Sequence, residues 1–155
     1  MRFLIPLIGK TREPYLDAGI RDYANRLSHF VPVDLPVLKE RHRRREPDES
    51  IKAAEAAQLL EQVAAANLCV ALDPGGISPD SHELAGLLTQ WDERGIGVVC
   101  FLIGGHLGLH PSVLDRANVV MSLSRLTFTH EMTRLILLEQ LYRACTIRAG
   151  QKYHK

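Results

Sequence analysis

The chain has 155 residues, 46% of them hydrophobic, and its 19 Lys and Arg face 18 Asp and Glu for a formal net charge of +1. That length and apolar content suit one globular domain over residues 1–155 with a sizeable core, and exclude a disordered or low-complexity chain. The longest apolar runs fall well short of the roughly 20 residues of a membrane span, and the opening Met1-Arg2-Phe3-Leu4-Ile5 lacks the h-region and cleavage site of a signal peptide. The expected location is therefore the cytoplasm. Cys69, Cys100 and Cys145 are odd in number, sit in apolar contexts and lack metal-ligand spacing, so they read as buried reduced thiols and no metal is expected. A near-neutral balance leaves any nucleic-acid surface to the placement of charge rather than its total.

Residues 2–8 read as a first strand, in which Pro6 removes a ladder donor and argues for an edge or bulged position. Pro14 suits the first turn of a helix whose Leu16, Ile20, Tyr23 and Leu27 recur at helical spacing. Val31, Val33, Leu35 and Val37 then alternate with Pro32, Asp34 and Pro36, the pattern of an extended edge strand. The concentrated basic cluster follows at Lys39-Glu40-Arg41-His42-Arg43-Arg44-Arg45. Arginine's planar fork matches phosphate oxygens, so Arg41, Arg43, Arg44 and Arg45 are candidate RNA-backbone contacts, the alternative being a solvated loop.

Pro47-Asp48 and Ser50 offer start signals for an Ala-rich helix to about residue 66, with Ile51, Leu59, Leu60 and Val63 on its apolar face. The short run from Leu68 to Leu72 predicts a central strand covered on both faces, ending at Asp73-Pro74-Gly75-Gly76, where Asp73 can bond its own backbone in a turn. Asp80 and Glu83 have capping-box spacing, and Gly95 marks the end of a helix carrying Leu84, Leu87, Leu88 and Trp91.

Residues 98–144 carry most of the functional signal. The apolar run Val98 to Ile103 stops at Gly104-Gly105, where glycines at the end of a parallel strand would let a ligand approach the main chain. Neither the dinucleotide nor the P-loop spacing is present, which disfavours a generic nucleotide-binding enzyme. A second strand at residues 119–123 runs into Ser124-Arg125-Leu126-Thr127-Phe128, and a long helix opens near Thr129. Its expected apolar stripe is Met132, Leu135, Ile136, Leu138, Leu141, Tyr142 and Cys145, with Arg134, Glu139 and Arg143 off or beside it. Arg134 and Arg143 are open to RNA phosphate or a carboxylate across an interface, although Glu139 and Arg143 also have the spacing of an intrahelical pair. Strands alternating with helices predict an α/β layered domain with a largely parallel sheet.

The sequence LIGG-x-x-G at residues 102–108, LSRLTF at residues 123–128, His130, Arg134, EQLYRA at residues 139–144 and the closing Tyr153-His154-Lys155 resemble the ribosomal RNA large-subunit methyltransferase H family, within the knotted (SPOUT) methyltransferases. The resemblance spans the chain and is densest over its last third. It implies a carboxyl-terminal trefoil knot, a homodimer, and S-adenosylmethionine-dependent methylation of N3 of a pseudouridine in 23S rRNA of the assembled ribosome. The implied cofactor contacts are Leu72, Gly104, Leu123, Ser124, Arg125, Leu126, Thr127 and Phe128, and a bulky residue at Gly104 is expected to abolish cofactor binding without unfolding the chain. The implied catalytic residues are His154, Tyr153 and Arg143, with Arg134 contacting RNA. His154 and His130 can take the N3 proton because imidazole titrates nearest neutral pH, and Tyr153 can stack on or orient a flipped base. His130 can equally be a capping or packing residue, and His106 and His110 are read as structural. Two departures stand out: Ala149-Gly150-Gln151-Lys152 replaces an Asn-His-Pro-like lead into the tail, and His106 follows the paired glycines where proline or alanine is usual. The competing function is a non-catalytic ribosome-associated RNA-binding module with a vestigial cofactor pocket.

Overall fold

A computed structural model describes residues 1–40 and 46–153. Among them, β1 (Arg2–Leu4), β3 (Val33–Asp34), β5 (Leu68–Ile77), β6 (Val98–Leu102) and β7 (Val119–Met121) form a five-stranded sheet in the order β3-β1-β6-β5-β7. Every pairing in it is parallel. A two-stranded parallel sheet pairs β2 (Leu7–Ile8) with β4 (Val37–Leu38). Helices α1 (Pro14–Ser28), α2 (Asp48–Val63), α3 (Ser81–Glu93), α4 (Pro111–Arg116) and α5 (His130–Arg148) complete the chain.

The pleat of each strand divides the core into two layers. Phe3, Val70, Val99 and Phe101 face a cluster that includes Leu27, Leu88, Trp91, Leu138 and Leu141 of α1, α3 and α5. Their sequence neighbours Leu4, Cys69, Ala71, Cys100 and Leu102 face Leu59 and Val63 of α2 and Val113 of α4. Strands buried on both faces have no use for polar alternation, which is why residues 68–72 and 98–103 read as unbroken apolar runs. All three cysteines are buried and free.

Pro6 does not place β1 at an edge: β1 lies between β3 and β6. The backbone hydrogen bonds give the reason. Phe3, Ile5, Leu7 and Gly9 donate in turn to the carbonyls of Pro32, Asp34, Pro36 and Leu38 at 2.8–2.9 Å, so the odd residues serve one neighbour, while Arg2 donates to Gly97 on the other side at 2.8 Å. Pro6 has the even phase and lies beyond Leu4, the last residue paired with β6. Its missing N–H therefore costs no ladder bond. Pro32 and Pro36 accept from the same ladder without needing to donate, in keeping with the expected edge strand.

Two other boundaries differ from expectation. β5 does not stop at Leu72: Leu72 and Ile77 both register with Met121, so residues 73–76 loop out of one strand. The excursion is held by Gly75 N–H donating to Asp73 Oδ1 at 2.8 Å, and Gly76 is required there because a Cβ would lie 2.5 Å from the Val120 and Met121 backbone. On α5 the buried face is Glu131, Arg134, Leu137, Leu138, Leu141, Ala144, Cys145 and Thr146, whereas Met132, Leu135, Ile136 and Tyr142 are half-buried. The stripe is rotated toward Arg134 because that side chain is consumed by the connection between β2 and α1.

The helix ends follow local rules. Asp80 and Glu83 form a reciprocal capping box at α3, Thr129 Oγ1 accepts from Met132 N–H at the start of α5, and Pro14 opens α1.

Candidate functional site

Strands β6, β5 and β7 are neighbours and parallel, so their carboxyl ends open on one side of the sheet. There the loops after them enclose a cavity of about 460 Å³. Leu72, Asp73 and Pro74 line it from β5, Ile103 to His106 and Gly108 from the turn after β6, and Ser122 to Ser124 and Leu126 to Phe128 from the segment after β7; Thr129, His130 and Thr133 close it from α5. Apolar side chains with a few convergent hydroxyl and backbone groups are the usual character of a small-molecule site, and the volume lies within the roughly 300–1,000 Å³ such sites occupy.

Local geometry explains each wall. Gly108 N–H donates to Gly105 O at 3.1 Å, closing a tight turn after β6. A Cβ on Gly104 would lie 2.5 Å from the Gly108 carbonyl carbon and 2.7 Å from Leu109 N. The absence of a side chain at Gly104 thus lets the loop fold back on itself as well as opening the cavity. Substitution there must displace backbone, so a bulky residue at Gly104 would rearrange this turn as well as fill the cavity. On the third wall, Ser122 Oγ donates to Ser124 O at 2.9 Å, and Leu126 N–H donates to Ser124 Oγ at 2.9 Å. The turn they define leaves Leu126 72% exposed at the cavity. Every expected cofactor residue except Arg125 lines the cavity; Arg125 is exposed and is not among the lining residues.

The start of α5 carries the charge. Arg134, 2% exposed, donates Nη2–H to Ile8 O at 2.5 Å and Nη1–H to Thr11 Oγ1 at 3.0 Å. Its guanidinium is committed to the connection before α1 rather than offered to phosphate, contrary to the RNA contact expected of it. Glu131 accepts from the backbone N–H groups of Arg12 at 2.9 Å and Glu13 at 3.1 Å. Burial alone would raise its carboxyl, but those two donors and the nearby Arg134 bring it below the ordinary value. His130, facing the cavity, is shifted down by burial and then by Arg134, so its imidazole is held toward the neutral form.

The tail residues gather elsewhere. Arg143 pairs with Glu139, Nε donating at 3.1 Å and Nη2 also bonding the same oxygen, and its guanidinium carbon lies 4.8 Å from the centre of the Tyr153 ring. Tyr153 O–H donates to Glu139 Oε1 at 3.1 Å. The intrahelical pair and the tail contact therefore coexist. Arg143 is ten residues along α5 from Thr133, about 15 Å of helix, so Arg143 and Tyr153 do not join the cavity of their own chain. His154 and the basic residues Arg41, Arg43, Arg44 and Arg45 lie outside the described residues.

Of the remaining histidines, His110 caps α4, its Nδ1 accepting from Ser112 N–H at 3.2 Å, while Nε2 lies 3.0 Å from Glu49 Oε1. His106, read as structural, lines the cavity instead. Sequence reasoning also missed Ile103, Ser122, Thr129 and Thr133. The available signal was adjacency: a strand end contributes consecutive residues, and Thr133 stands one helical turn beyond Thr129. Among the described residues, no group of three or more His, Cys, Asp or Glu could hold a metal ion, and no helix is long and apolar enough to cross a membrane.

Comparison with known proteins bears on what such a cavity does. The family described as "Predicted SPOUT methyltransferase" matches residues 1–154. The chain is 43% identical over 155 residues to the ribosomal RNA large subunit methyltransferase H of Desulfotalea psychrophila, covering 100% of both chains. It is 40% identical over 155 residues to the protein of the same name from Gemmatimonas aurantiaca, again covering 100% of both. Among solved structures, a probable methylase family protein from Haemophilus influenzae Rd KW20 superposes with a TM-score of 0.59 at 14% identity, covering 99% of this chain and 70% of that one. TrmJ from Z. mobilis ZM4 gives 0.55 at 14% identity, covering 92% of this chain and 69% of that one. At such identities the superpositions speak to the fold.

Proposed function

The chain belongs to the SPOUT methyltransferase family, and from that premise we propose that it methylates N3 of a pseudouridine in 23S rRNA, using S-adenosylmethionine and acting on the assembled ribosome. The observation that carries this reading is the cavity at the carboxyl ends of β5, β6 and β7, lined by the residues the family would use for its cofactor. The reaction is cytoplasmic, where assembled ribosomes are. The whole chain works as one domain with the threaded carboxyl-terminal segment of its family, and as a homodimer.

The residues present fit the cofactor. The cleft is apolar at Leu72, Ile103, Leu123, Leu126 and Phe128 and carries the hydroxyls of Ser122, Ser124, Thr127 and Thr133. Leu126 and Phe128 would cover the faces of the adenine, and the backbone from Leu123 to Phe128 would bond its edge. Gly104 would admit the ligand close to the main chain. When bound, S-adenosylmethionine supplies a methyl group made electrophilic by its sulfonium, so placement is what the protein must provide.

This chain's own groups handle the proton. N3 of the base must give up its hydrogen as the new N–C bond forms. An imidazole held neutral is suited to accept it. His154 is the residue the family resemblance implies; His130 and His106 both line the cavity, and of these His130 has its basic form favoured by burial and by Arg134. Tyr153 would orient the flipped base and Arg143 would contact the RNA. Because Arg143 lies about 15 Å along α5 from Thr133 and Tyr153 packs beside Arg143, they would serve the cavity of the partner in the dimer. Arg41, Arg43, Arg44 and Arg45 would hold phosphates, giving salt-dependent affinity without sequence preference.

Calorimetric titration with S-adenosylmethionine tests the cofactor assignment and separates this reading from a non-catalytic RNA-binding module. Saturable binding at one site per chain is expected, whereas a heat-silent titration with ribosome binding intact would favour the module.

A further inference from the structure

The last described residue of the chain is tied down rather than frayed. Gln151 N–H returns to Thr146 O at 2.9 Å beyond the end of α5, and the Tyr153 ring then settles over that helix. Its edge meets Tyr142 with ring centres 4.8 Å apart at 71°, and the Arg143 guanidinium covers its face. Tyr142 packs in turn against Tyr23 and Phe30, with centres 6.0 and 5.9 Å away. Residues after a terminal helix are poorly ordered unless something ties them down, and here four rings do.

The phenol sits in a short relay. Tyr153 O–H donates to Glu139 Oε1 at 3.1 Å, which leaves the Tyr153 oxygen to accept from Tyr23 O–H, also at 3.1 Å. Glu139 is fixed from its other side by Gln140 Nε2–H, which donates to Oε2 at 2.6 Å, and Gln140 Oε1 in turn accepts from Ser81 Oγ–H at 2.8 Å. The acceptor is therefore anchored to both α5 and α3 before the tail reaches it. Burial, Tyr23 and Glu139 all push the Tyr153 phenol upward from its ordinary range, so it remains protonated and continues to donate.

We infer that Tyr23 and Glu139 are positioning residues for the proposed methyl transfer: Tyr23 acts through the Tyr153 phenol, Glu139 through that phenol and the Arg143 guanidinium it also holds, and together they fix where the tail leaves α5. This rests on the methyltransferase reading above. Neither residue lines the cofactor cavity, and each reaches the reaction only through the side chain it holds. A purely structural dock would stabilise the tail without bearing on turnover, and the two roles differ in what a single lost hydroxyl does. Misplacing a reacting group by about 1 Å can cost about 100-fold in rate, whereas a lost hydrogen bond in a purely structural dock leaves kcat of the folded chain unchanged.

The test uses the full chain with Tyr23→Phe, Glu139→Gln and Tyr153→Phe, singly and in pairs. Three quantities are measured: S-adenosylmethionine affinity, kcat and KM for labelled-methyl transfer to assembled ribosomes lacking the modification, and hydrogen exchange of the carboxyl-terminal peptide. Tyr23→Phe is expected to lower kcat about tenfold while KM and cofactor affinity change less than about threefold; Glu139→Gln is expected to lower kcat about tenfold with cofactor affinity equally unchanged and to raise KM as well, because it also frees Arg143; both should speed exchange of the tail. In the Tyr153→Phe background, Tyr23→Phe should add less than about twofold, since both act through one phenol. Equal losses in the two backgrounds, unchanged kcat despite faster exchange, or unchanged exchange would each overturn the inference. A wild-type chain that transfers no methyl would instead sink the methyltransferase reading and the reaction role with it, while the exchange rates still decide whether the dock exists.

Discussion

Leu126 shows how one residue reports on the cavity. A leucine 72% exposed has surface to cover, and the turn set by Ser124 holds it at the mouth rather than in the core. If it closes on the adenine face, Leu126→Ala should weaken S-adenosylmethionine about three- to tenfold, the effect of losing roughly half of the 1.5–3 kcal/mol a fully buried leucine gains. The melting temperature should stay unchanged without ligand, and calorimetry with a thermal scan checks both. His130 provides a second reading at this scale. Burial and Arg134 lower its pKa, so the folded chain holds the proton less tightly than the unfolded chain. Its NMR titration should fall below the ordinary imidazole value of about 6.5, and its contribution to stability, present above that value, should be lost as pH falls through the lowered folded one. A midpoint at or above the ordinary value would contradict the account. The pocket residues were legible where glycine or a strand end announced them. Arg134 was not: a formal charge beside an apolar stripe reads as solvent-facing, and only the fold reveals the Ile8 carbonyl and Thr11 hydroxyl that consume it.

At the scale of elements, α5 joins the two halves of the site. Its first turn walls the cavity with His130 and Thr133, while Glu131 and Arg134, facing the other way, hold the approach to α1. The N-cap position of α1, Glu13, makes no side-chain cap of its own; Glu131 supplies the acceptor from another helix. Glu131→Ala should therefore destabilise the chain by about 1–3 kcal/mol, the range for stranding partly buried donors. Glu131 is ionised more readily in the folded chain, so the stability it provides is present above the unfolded carboxyl value and lost as pH falls through the lowered folded one. The variant's denaturation midpoint should consequently depend less on pH across the carboxylate range. Equal stability of variant and wild type at neutral pH would dismiss the clamp. Much of this layer was visible in the sequence: Pro14, the Asp80 and Glu83 box and Thr129 all mark real helix starts. The loop at residues 73–76 was not, because a strand that resumes after an excursion needs a partner such as Met121 to give it register.

For the whole molecule, the parallel order β3-β1-β6-β5-β7 gathers three loops distant in sequence at one edge, and the apolar runs of the central strands follow from helices on both faces. The alternation of elements made the layered α/β class readable. Strand order was not readable, since adjacency of β5 to both β6 and β7 is a tertiary choice. The same arrangement leaves the Tyr153 and Arg143 cluster along α5 from the cavity, which is why the proposed reaction draws on two copies of the chain. The proposed reaction is decided by labelled-methyl transfer from S-adenosylmethionine to assembled ribosomes lacking the modification, with and without the target pseudouridine, followed by mapping of the labelled base. Label is expected at N3 of the pseudouridine in 23S rRNA, with weak transfer where uridine replaces it. Cofactor binding without label on that base would rule the reaction out.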